Sequence, residues 1–289
     1  MKNLRYMTEA ALVYTLFALF KIMPLDAASA LGGFIARNIG PLLAASRKAR
    51  RNLERAIPGK SAQEYDNLIR DMWDNLGRVV AEYPHIGYIV KHRITPEHEH
   101  YMTDALKLDA PAFLITAHLA NWEVGPAYFT LRYNLPLDIT YRAPNNPYVD
   151  RLLHKTRSMG GSITAFPKAR ETARKLLNAL KDGHNIGFLI DQKFNEGLPV
   201  PFFGRDAMTN PAFVQLAQKF HSPLVPTYIV RTDGAHFRLI FGKPLEIFEA
   251  DGKTPLPLEK VIRRAHIELE DHIRQYPAQW LWLHRRWKD

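Results

Sequence analysis

The residues with the clearest catalytic spacing in this chain are a histidine and a glutamate. His118 closes an apolar run, PAFLITAH, that is typical of a buried strand, and Glu123 follows five residues later in HLANWE. On a continuous helix two such residues lie about 140° apart around the axis, so their side chains would not touch. If the strand ends at His118 and a helix begins near Asn121 or Gly125, the chain folds back and brings the carboxylate to the imidazole.

A bonded carboxylate would make His118 a general base. It fixes the tautomer of the ring and raises the basicity of the second nitrogen, which can then take a proton from a hydroxyl. A purely structural interpretation also fits, in which His118 is a satisfied core histidine and Glu123 favours a helix N-terminus. These residues alone leave both interpretations open.

Other kinds of catalytic centre find little support. The chain has no cysteine, which excludes disulfides, thiolate nucleophiles and sulfur-ligated metals. It contains no H-E-x-x-H, P-loop or G-x-G-x-x-G motif, and GGSIT is only a near miss to a G-x-S-x-G elbow. His154, His184 and His221 lack metal-ligand spacing, so we predict neither a metal nor a cofactor. A base without a side-chain nucleophile indicates direct attack by a substrate hydroxyl.

The elements that must position these residues follow from three short β-prone runs. Each run ends in an ionisable residue: FLITAH at His118, LDITYR at Arg142 and IGFLID at Asp191. The segment ETARKLLNALKDGHN has a helical period and precedes the third run. Strands that alternate with helices predict an α/β fold, a single mixed, largely parallel sheet flanked by helices. The three ionisable residues are then expected at one rim of the sheet.

Two further segments extend this prediction. PLVPTYIVR is expected to be another strand, and AHFRLIFGKPLEI an extended edge segment. Residues 61–100 are polar with apolar residues at helical spacing, so we predict helices there.

The N-terminal segment, residues 1–60, is predicted to be a membrane-anchoring or interfacial helical segment, ahead of an α/β domain at residues 61–289. The clean apolar run Ala10–Phe20 is too short to span a bilayer, and a cleaved signal or an ordinary core helix remains an alternative. The basic run SRKARRNLER follows it. Such a run beside an apolar segment binds acidic headgroups, although it is also typical of a solvated helix face.

The net charge of +10 and the pI of 9.7 favour anionic partners. These include nucleic acid, an acidic membrane surface, a phosphorylated substrate and an acidic carrier protein. Nucleic acid is disfavoured, because no binding motif is present and the basic residues form no single stripe. The C-terminal WLWLHRRWK is typical of a membrane interface or carrier contact, and equally of a packed strand with a basic tip.

The motif HLANWE resembles the H-x-x-x-x-[DE] motif of glycerolipid acyltransferases, in the H-x-G-N-W-E form of the lipid A late acyltransferases. The resemblance continues in YRAPNNPYVD, HKTR, GFLIDQK, VPFFGRDAMTNPAF and YPAQWLWLHRRWK, so it covers about residue 112 to residue 288. One departure is Ala120, which stands where glycine is usual.

The resemblance implies that residues 61–289 are an acyltransferase domain and gives each residue a role. His118 is expected to be the general base and Glu123 its partner carboxylate. Arg157 and Asp191 are expected to be polar substrate-binding residues, and Arg142 to contact a phosphate or other anion.

The implied reaction moves a fatty acyl chain from an acyl carrier protein thioester to a hydroxyl on a 3-hydroxyacyl chain of a Kdo-bearing lipid A precursor. The implied location is the inner (cytoplasmic) membrane, with the catalytic domain facing the cytoplasm. The alternatives are another membrane glycolipid or phospholipid as acceptor, or a non-catalytic lipid-binding protein. Acyl-chain length, the acceptor hydroxyl and the oxyanion donors stay open.

Overall fold

The structure of the protein, a computed structural model, describes residues 2–141, 143–158, 162–167 and 170–287. Arg142 therefore lies outside the described residues. The helices, in chain order, are α1 (Lys2–Ile22), α2 (Leu25–Ile39), α3 (Ala44–Ala56), α4 (Ala62–Glu82), α5 (Ile86–His92), α6 (His100–Ala105), α7 (Val124–Tyr133), α8 (Pro147–Arg157), α9 (Arg170–Lys181), α10 (Ala212–Phe220) and α11 (Leu258–Gln275). The strands are β1 (Ile94–Glu97), β2 (Phe113–Thr116), β3 (Leu137–Tyr141), β4 (Ile163–Pro167), β5 (Asn185–Leu189), β6 (Leu198–Phe202), β7 (Arg205–Thr209), β8 (Leu224–Asp233) and β9 (His236–Phe241).

The main sheet is mixed and largely parallel, which confirms the predicted fold class. Among the described residues its strand order is β1-β9-β8-β2-β5-β3-β4, and β8 runs antiparallel to β9. In the central strand β2, Phe113 faces Leu224 of β8 on one side and Ile186 of β5 on the other. Because these strands are parallel, their carboxyl ends meet at one edge of the sheet.

The alternation of side chains along β2 divides the core between the two faces of the sheet. Phe113 and Ile115 pack into one cluster, which includes Ile262 and other residues of α11. Leu114 points the other way and packs with Phe129 of α7. Both faces of the strand are buried, which explains why its sequence is continuously apolar.

The edge of the sheet differs from the prediction. The segment expected to form an edge, residues 235–247, contributes β9, and β1 covers it in parallel register, with Ile94 opposite Phe237. Strand β1 lies inside residues 61–100, which we predicted to be helical. It is four residues long and contains Pro96, so its sequence shows little of the pattern that predicts a strand. Proline is tolerated in a strand at the edge of a sheet.

Helices α2 and α4 pack against each other without space for side chains at their crossing. A Cβ on Gly32 of α2 would lie 2.5 Å from the carbonyl oxygen of Gly77 in α4. Helix α4 begins at a capping box, in which Ser61 and Glu64 satisfy each other's backbone N–H groups. This pair of helices joins the segment 1–60 to the rest of the chain, and the boundary at residue 60 stays a prediction.

Helix α1 presents apolar side chains to solvent, among them Leu12, Leu19 and Ile22. Within the described part of the chain, no helix combines the length and the apolarity that crossing a bilayer requires.

The C-terminal segment is packed into the body of the protein. Trp280, Trp282, Arg286 and Trp287 are all buried, and the indole N–H of Trp287 donates to the carbonyl of Phe202. Of the two interpretations of WLWLHRRWK, the structure therefore supports the packed one, because these rings have no face left for a membrane.

Candidate active site

His118 and Asp191 lie side by side, as the predicted rim of the sheet requires. His118 follows the end of β2 and Asp191 follows the end of β5, and the last residues of these strands, Thr116 and Leu189, are register partners. Two residues beyond paired parallel strand ends are necessarily neighbours. Both side chains are buried.

Asp191 holds the imidazole by two different groups of His118. Its Oδ1 lies 2.9 Å from the ring Nδ1, and its Oδ2 accepts the backbone N–H of His118 at 2.9 Å. The indole N–H of Trp280 also donates to Oδ2, at 2.8 Å. Burial by itself would raise the pKa of Asp191, but the imidazole and these hydrogen bonds outweigh it and hold the pKa below its ordinary value.

An ionised Asp191 determines the state of the ring. Because a carboxylate only accepts hydrogen bonds, Nδ1 of His118 carries the hydrogen and Nε2 has the free lone pair. The amide nitrogen of Gln192 lies 3.2 Å from that Nε2 and 3.1 Å from Nε2 of His284. One amide group can thus donate to both histidines. The imidazole of His118 is thus held at Nδ1 by Asp191 and contacted at Nε2 by Gln192.

Glu123 does not bond the imidazole, and this corrects the prediction that it would. Both of its oxygens accept from Arg157: Nε donates to Oε2 at 2.9 Å and Nη2 donates to Oε1 at 2.5 Å. Glu123 precedes the first residue of α7 and faces the last residue of α8, whereas Asp191 reaches Nδ1 from the strand next to His118. The carboxylate that is nearer in sequence is therefore not the one that meets the ring.

The Glu123–Arg157 pair is largely withdrawn from solvent. Burial lowers the pKa of Arg157, but the hydrogen bonds and charge of Glu123 more than compensate and raise it above its ordinary value. Burial and the charge of Glu123 also raise the pKa of Tyr83 well above its ordinary value. The guanidinium lies 5.4 Å over the ring of Tyr141, so it is fixed on two sides.

The chain between His118 and Glu123 is held by backbone and side-chain contacts. Ala120 has a φ of +47°, a conformation that favours glycine. The amide of Asn121 donates to Glu82 of α4 at 2.8 Å, and the backbone N–H of Ala120 donates to the carbonyl of Gln279 at 2.9 Å. This loop, residues 118–123, is therefore clamped between α4 and the C-terminal segment.

A cavity of about 350 Å³ opens above these residues. It combines the polar groups His118, Glu123, Arg157, Gln192 and His284 with apolar walls. A smaller apolar cavity of about 30 Å³ adjoins it and shares four lining residues with it, which are Thr116, Trp122, Pro126 and Gly187.

Among the described residues, no group of three or more His, Cys, Asp or Glu side chains is placed to hold a metal ion.

Two residues of this cavity were not predicted from the sequence. Gln192 directly follows Asp191 in the motif GFLIDQK, and His284 lies in WLWLHRRWK. Both motifs carried the family resemblance, so their polar residues were the available signal. His118, Glu123 and Arg157 line the cavity and Asp191 lies behind His118, while Arg142 lies outside the described residues.

Comparison with known proteins finds a matching family and several similar proteins. The family described as bacterial lipid A biosynthesis acyltransferase matches residues 1–289. The chain is 26% identical over 249 residues to a lipid A biosynthesis palmitoleoyltransferase of Escherichia coli (strain K12), covering 83% of this chain and 78% of the relative. A lipid A biosynthesis acyltransferase of Shigella flexneri gives the same values. A lipid A biosynthesis lauroyltransferase of Escherichia coli (strain K12) is 25% identical over 256 residues, covering 82% and 77%.

Proposed function

Because the chain belongs to the bacterial lipid A biosynthesis acyltransferase family, and is therefore an acyltransferase, we propose that it transfers a fatty acyl chain from an acyl carrier protein thioester to a lipid A precursor that bears Kdo. The acceptor atom is the hydroxyl oxygen of a 3-hydroxyacyl chain. The observation that carries the proposed chemistry is the imidazole of His118, fixed through Nδ1 by the ionised Asp191, with Nε2 directed at the cavity.

In the proposed reaction the acceptor hydroxyl displaces Gln192 and donates its hydrogen bond to Nε2 of His118. The ring takes the proton as the oxygen attacks the thioester carbonyl carbon, and Asp191 stabilises the imidazolium that forms. The tetrahedral intermediate then collapses, the carbon–sulfur bond breaks, and the thiolate takes the proton from the imidazolium. General-base assistance of this kind contributes roughly 10²- to 10⁴-fold in rate.

The Glu123–Arg157 pair supports the acceptor side of this proposal. The two charges neutralise each other and fix the wall of the cavity beside His118. Glu123 is thus proposed to act through Arg157 instead of through the imidazole, and Arg157 to contact polar groups of the substrate. Arg142 remains our proposal for a phosphate contact.

The acyl chain of the donor is proposed to lie along the apolar walls of the cavity of about 350 Å³, with a few of its methylene groups at the small apolar extension. Trp122, Pro126 and Gly187 line the passage from the catalytic side into the apolar side. A chain placed there keeps its thioester carbonyl near His118 and brings a few of its methylene groups toward Leu114, Ile229 and Leu239. Burial of methylene groups in such a site supplies binding energy of about 0.8 kcal/mol each.

The proposed location is the inner membrane, with the catalytic domain facing the cytoplasm. The exposed apolar side chains of α1 and the net charge of +10 support a membrane surface as a partner. The same charge suits an acidic carrier protein.

The test is mass spectrometry of a tetra-acylated, Kdo-bearing lipid A precursor incubated with acyl carrier protein thioesters. We expect the wild-type protein to add one acyl mass and His118→Ala to do so at least about 100-fold more slowly. His100→Ala, which changes an exposed histidine, is the matched control and should keep full activity. An unchanged precursor, under conditions in which an established family member acts, would refute this acceptor, and equal activity of His118→Ala would refute the base.

A further inference from the structure

The corner between α2 and α3 exposes a continuous apolar edge. Ile35 and Ile39 lie one turn apart on α2, and Leu42 and Leu43 follow in the short 3-10 turn and its end. All four are exposed, and Leu42 is 84% accessible. We call these four residues the apolar corner. Neighbouring exposed apolar side chains of this kind mark an interaction site more often than scattered ones.

The apolar corner is held rigidly. Gly40 is buried against the ring of Trp73, where a Cβ has no room. The Ser46 hydroxyl donates to the carbonyl of Gly40 at 2.7 Å and accepts the indole N–H of Trp73 at 2.8 Å. The turn is thereby fixed to α4, and Leu42 points outward from a rigid base. Little conformational entropy remains to be lost when such a surface binds a partner.

A basic cavity lies directly beside the apolar corner. It measures about 340 Å³ and is lined by Pro41 and Ser46, by Ile69 and Asp66, and by the three arginines Arg47, Arg50 and Arg70. Arg50 forms ion pairs with Glu54 and Asp66. Arg47 and Arg70 are exposed, and neither has an ion-pair partner within the ranges that the structure describes. The cavity therefore presents uncompensated positive charge.

We infer that this corner docks on an anionic lipid bilayer, with the apolar corner inserted at the membrane interface and the phosphate of an acidic phospholipid bound in the basic cavity. In a bilayer the phosphates lie just outside the hydrocarbon. Here Arg47 and Arg70 line a cavity together with Pro41, which directly precedes the exposed Leu42 and Leu43, so cationic and apolar groups are neighbours. The inference deepens the proposed membrane partner, but it involves neither lipid A nor the acyl-transfer step.

The chain has no cysteine, so a single introduced thiol can carry an environment-sensitive fluorophore. Leu42→Cys is the probe variant, and Leu108→Cys, which changes another exposed leucine, is its matched control. Vesicles of phosphatidylcholine with phosphatidylglycerol are expected to shift the emission of the label at position 42 to the blue and to leave the label at position 108 unchanged. The inference is overturned if the protein co-sediments with the vesicles while the emission of the label at position 42 stays at its wavelength in water.

The headgroup part is tested with the double variant Arg47→Gln, Arg70→Gln. We expect it to bind the anionic vesicles roughly ten- to thirtyfold more weakly. The control Lys253→Gln, which changes an exposed lysine, should lose little affinity for them. Equal binding of wild type to vesicles of phosphatidylcholine alone would overturn the phosphate site. Full displacement by millimolar inorganic phosphate would assign the cavity to a free anion and overturn membrane docking.

Acyl transfer is measured in parallel on acceptor dispersed in detergent micelles. Turnover there should be the same for wild type and the double variant, because neither arginine lines the catalytic cavity. Failure of docking with intact turnover refutes this inference alone, and failure of turnover with intact docking refutes the proposed function alone.

Discussion

At the scale of single residues, the partner of His118 decides how the proposed catalytic side chains divide their work. Asp191 touches the imidazole, the backbone of His118 and the indole of Trp280, while Glu123 touches Arg157. The first carboxylate governs the tautomer and orientation of the ring, and the second governs the position of a cation.

This division predicts different effects for two conservative substitutions. Asp191→Asn removes the charge that stabilises the imidazolium and permits the wrong tautomer, so kcat is expected to fall on the order of 10³- to 10⁴-fold. Glu123→Gln leaves the ring partner intact and is expected to act mainly on KM. Steady-state kinetics of both variants, with thermal unfolding to verify folding, measure this. A larger loss of kcat in Glu123→Gln than in Asp191→Asn would contradict this division of roles.

A second prediction concerns His266, which is buried with Nδ1 at the carbonyl of Pro201 and Nε2 accepting from Arg286. Burial, with the charge of Arg286, lowers the pKa of His266 to about 3. In the unfolded chain this histidine is protonated below about pH 6.5, whereas in the folded protein it stays neutral there. The free energy of unfolding therefore falls as the pH drops below about 6.5, by up to about 1.4 kcal/mol per pH unit.

Chemical denaturation between pH 7 and pH 4.5 tests this dependence. His266→Gln keeps an acceptor for Arg286 but cannot titrate, so its stability should depend less steeply on pH. His272, whose pKa burial also lowers, contributes the same sign in both proteins. If the free energy of unfolding depends equally steeply on pH in wild type and in His266→Gln, His266 is not the titrating group.

At the scale of elements, α4 is coupled to the loop of residues 118–123 through one buried carboxylate. Glu82 accepts from Asn121 of the loop, from Ser29 of α2 and from both terminal nitrogens of Arg231 in β8. It is fully buried, so every one of these bonds lies in a medium of low polarity.

Glu82→Gln is therefore expected to leave the buried charge of Arg231 uncompensated and to lower the free energy of unfolding by about 3–5 kcal/mol. The weaker acceptor for Asn121 should also lower kcat, because the loop that carries His118 is held less firmly. Glu246→Gln breaks the exposed pair with Arg264 and serves as the control, which should change little. Denaturant titration and kinetics of both variants measure the two effects.

The packing of β5 against β3 predicts the acyl-chain preference. Gly187 lines both the catalytic cavity and its apolar extension, and a Cβ there would meet Ile139 at 3.2 Å. Gly187→Val should narrow the passage and shift the preferred thioester to shorter chains, by roughly one to two methylene groups. Competition among thioesters of different length, read by mass spectrometry, measures the shift. Gly87→Ala, on α5 with open space around it, should keep the wild-type preference.

At the scale of the whole molecule, the net charge of +10 predicts how the proposed donor, an acyl carrier protein thioester, is recruited. The KM for an acyl carrier protein thioester is expected to rise severalfold between about 50 mM and about 300 mM salt, because the screening length shortens, while kcat stays constant. A small acyl thioester without the carrier protein is the control. The same salt dependence for both donors would indicate that charge does not recruit the carrier.

The amino-acid sequence by itself was enough to predict the sheet and part of the site. A continuously apolar run such as FLIT is compatible with a strand buried on both faces, and the ionisable residue after each such run belongs at a strand end. These are local properties, so His118 and Asp191 were correctly predicted at one rim. Strand β1 was missed because four residues that include Pro96 carry almost no pattern of their own.

The partner of His118 was decided only by the tertiary structure. Glu123 is five residues away along the chain and Asp191 is 73, yet Asp191 meets the ring because β5 pairs with β2. Strand order depends on hydrogen bonds between segments that are distant in sequence, and no local periodicity encodes it. The same holds for Gln192, which follows β5 and whose amide contacts the imidazoles of both His118 and His284. Residue types and strand ends were thus readable in the sequence, whereas the hydrogen-bond partners required the packed fold.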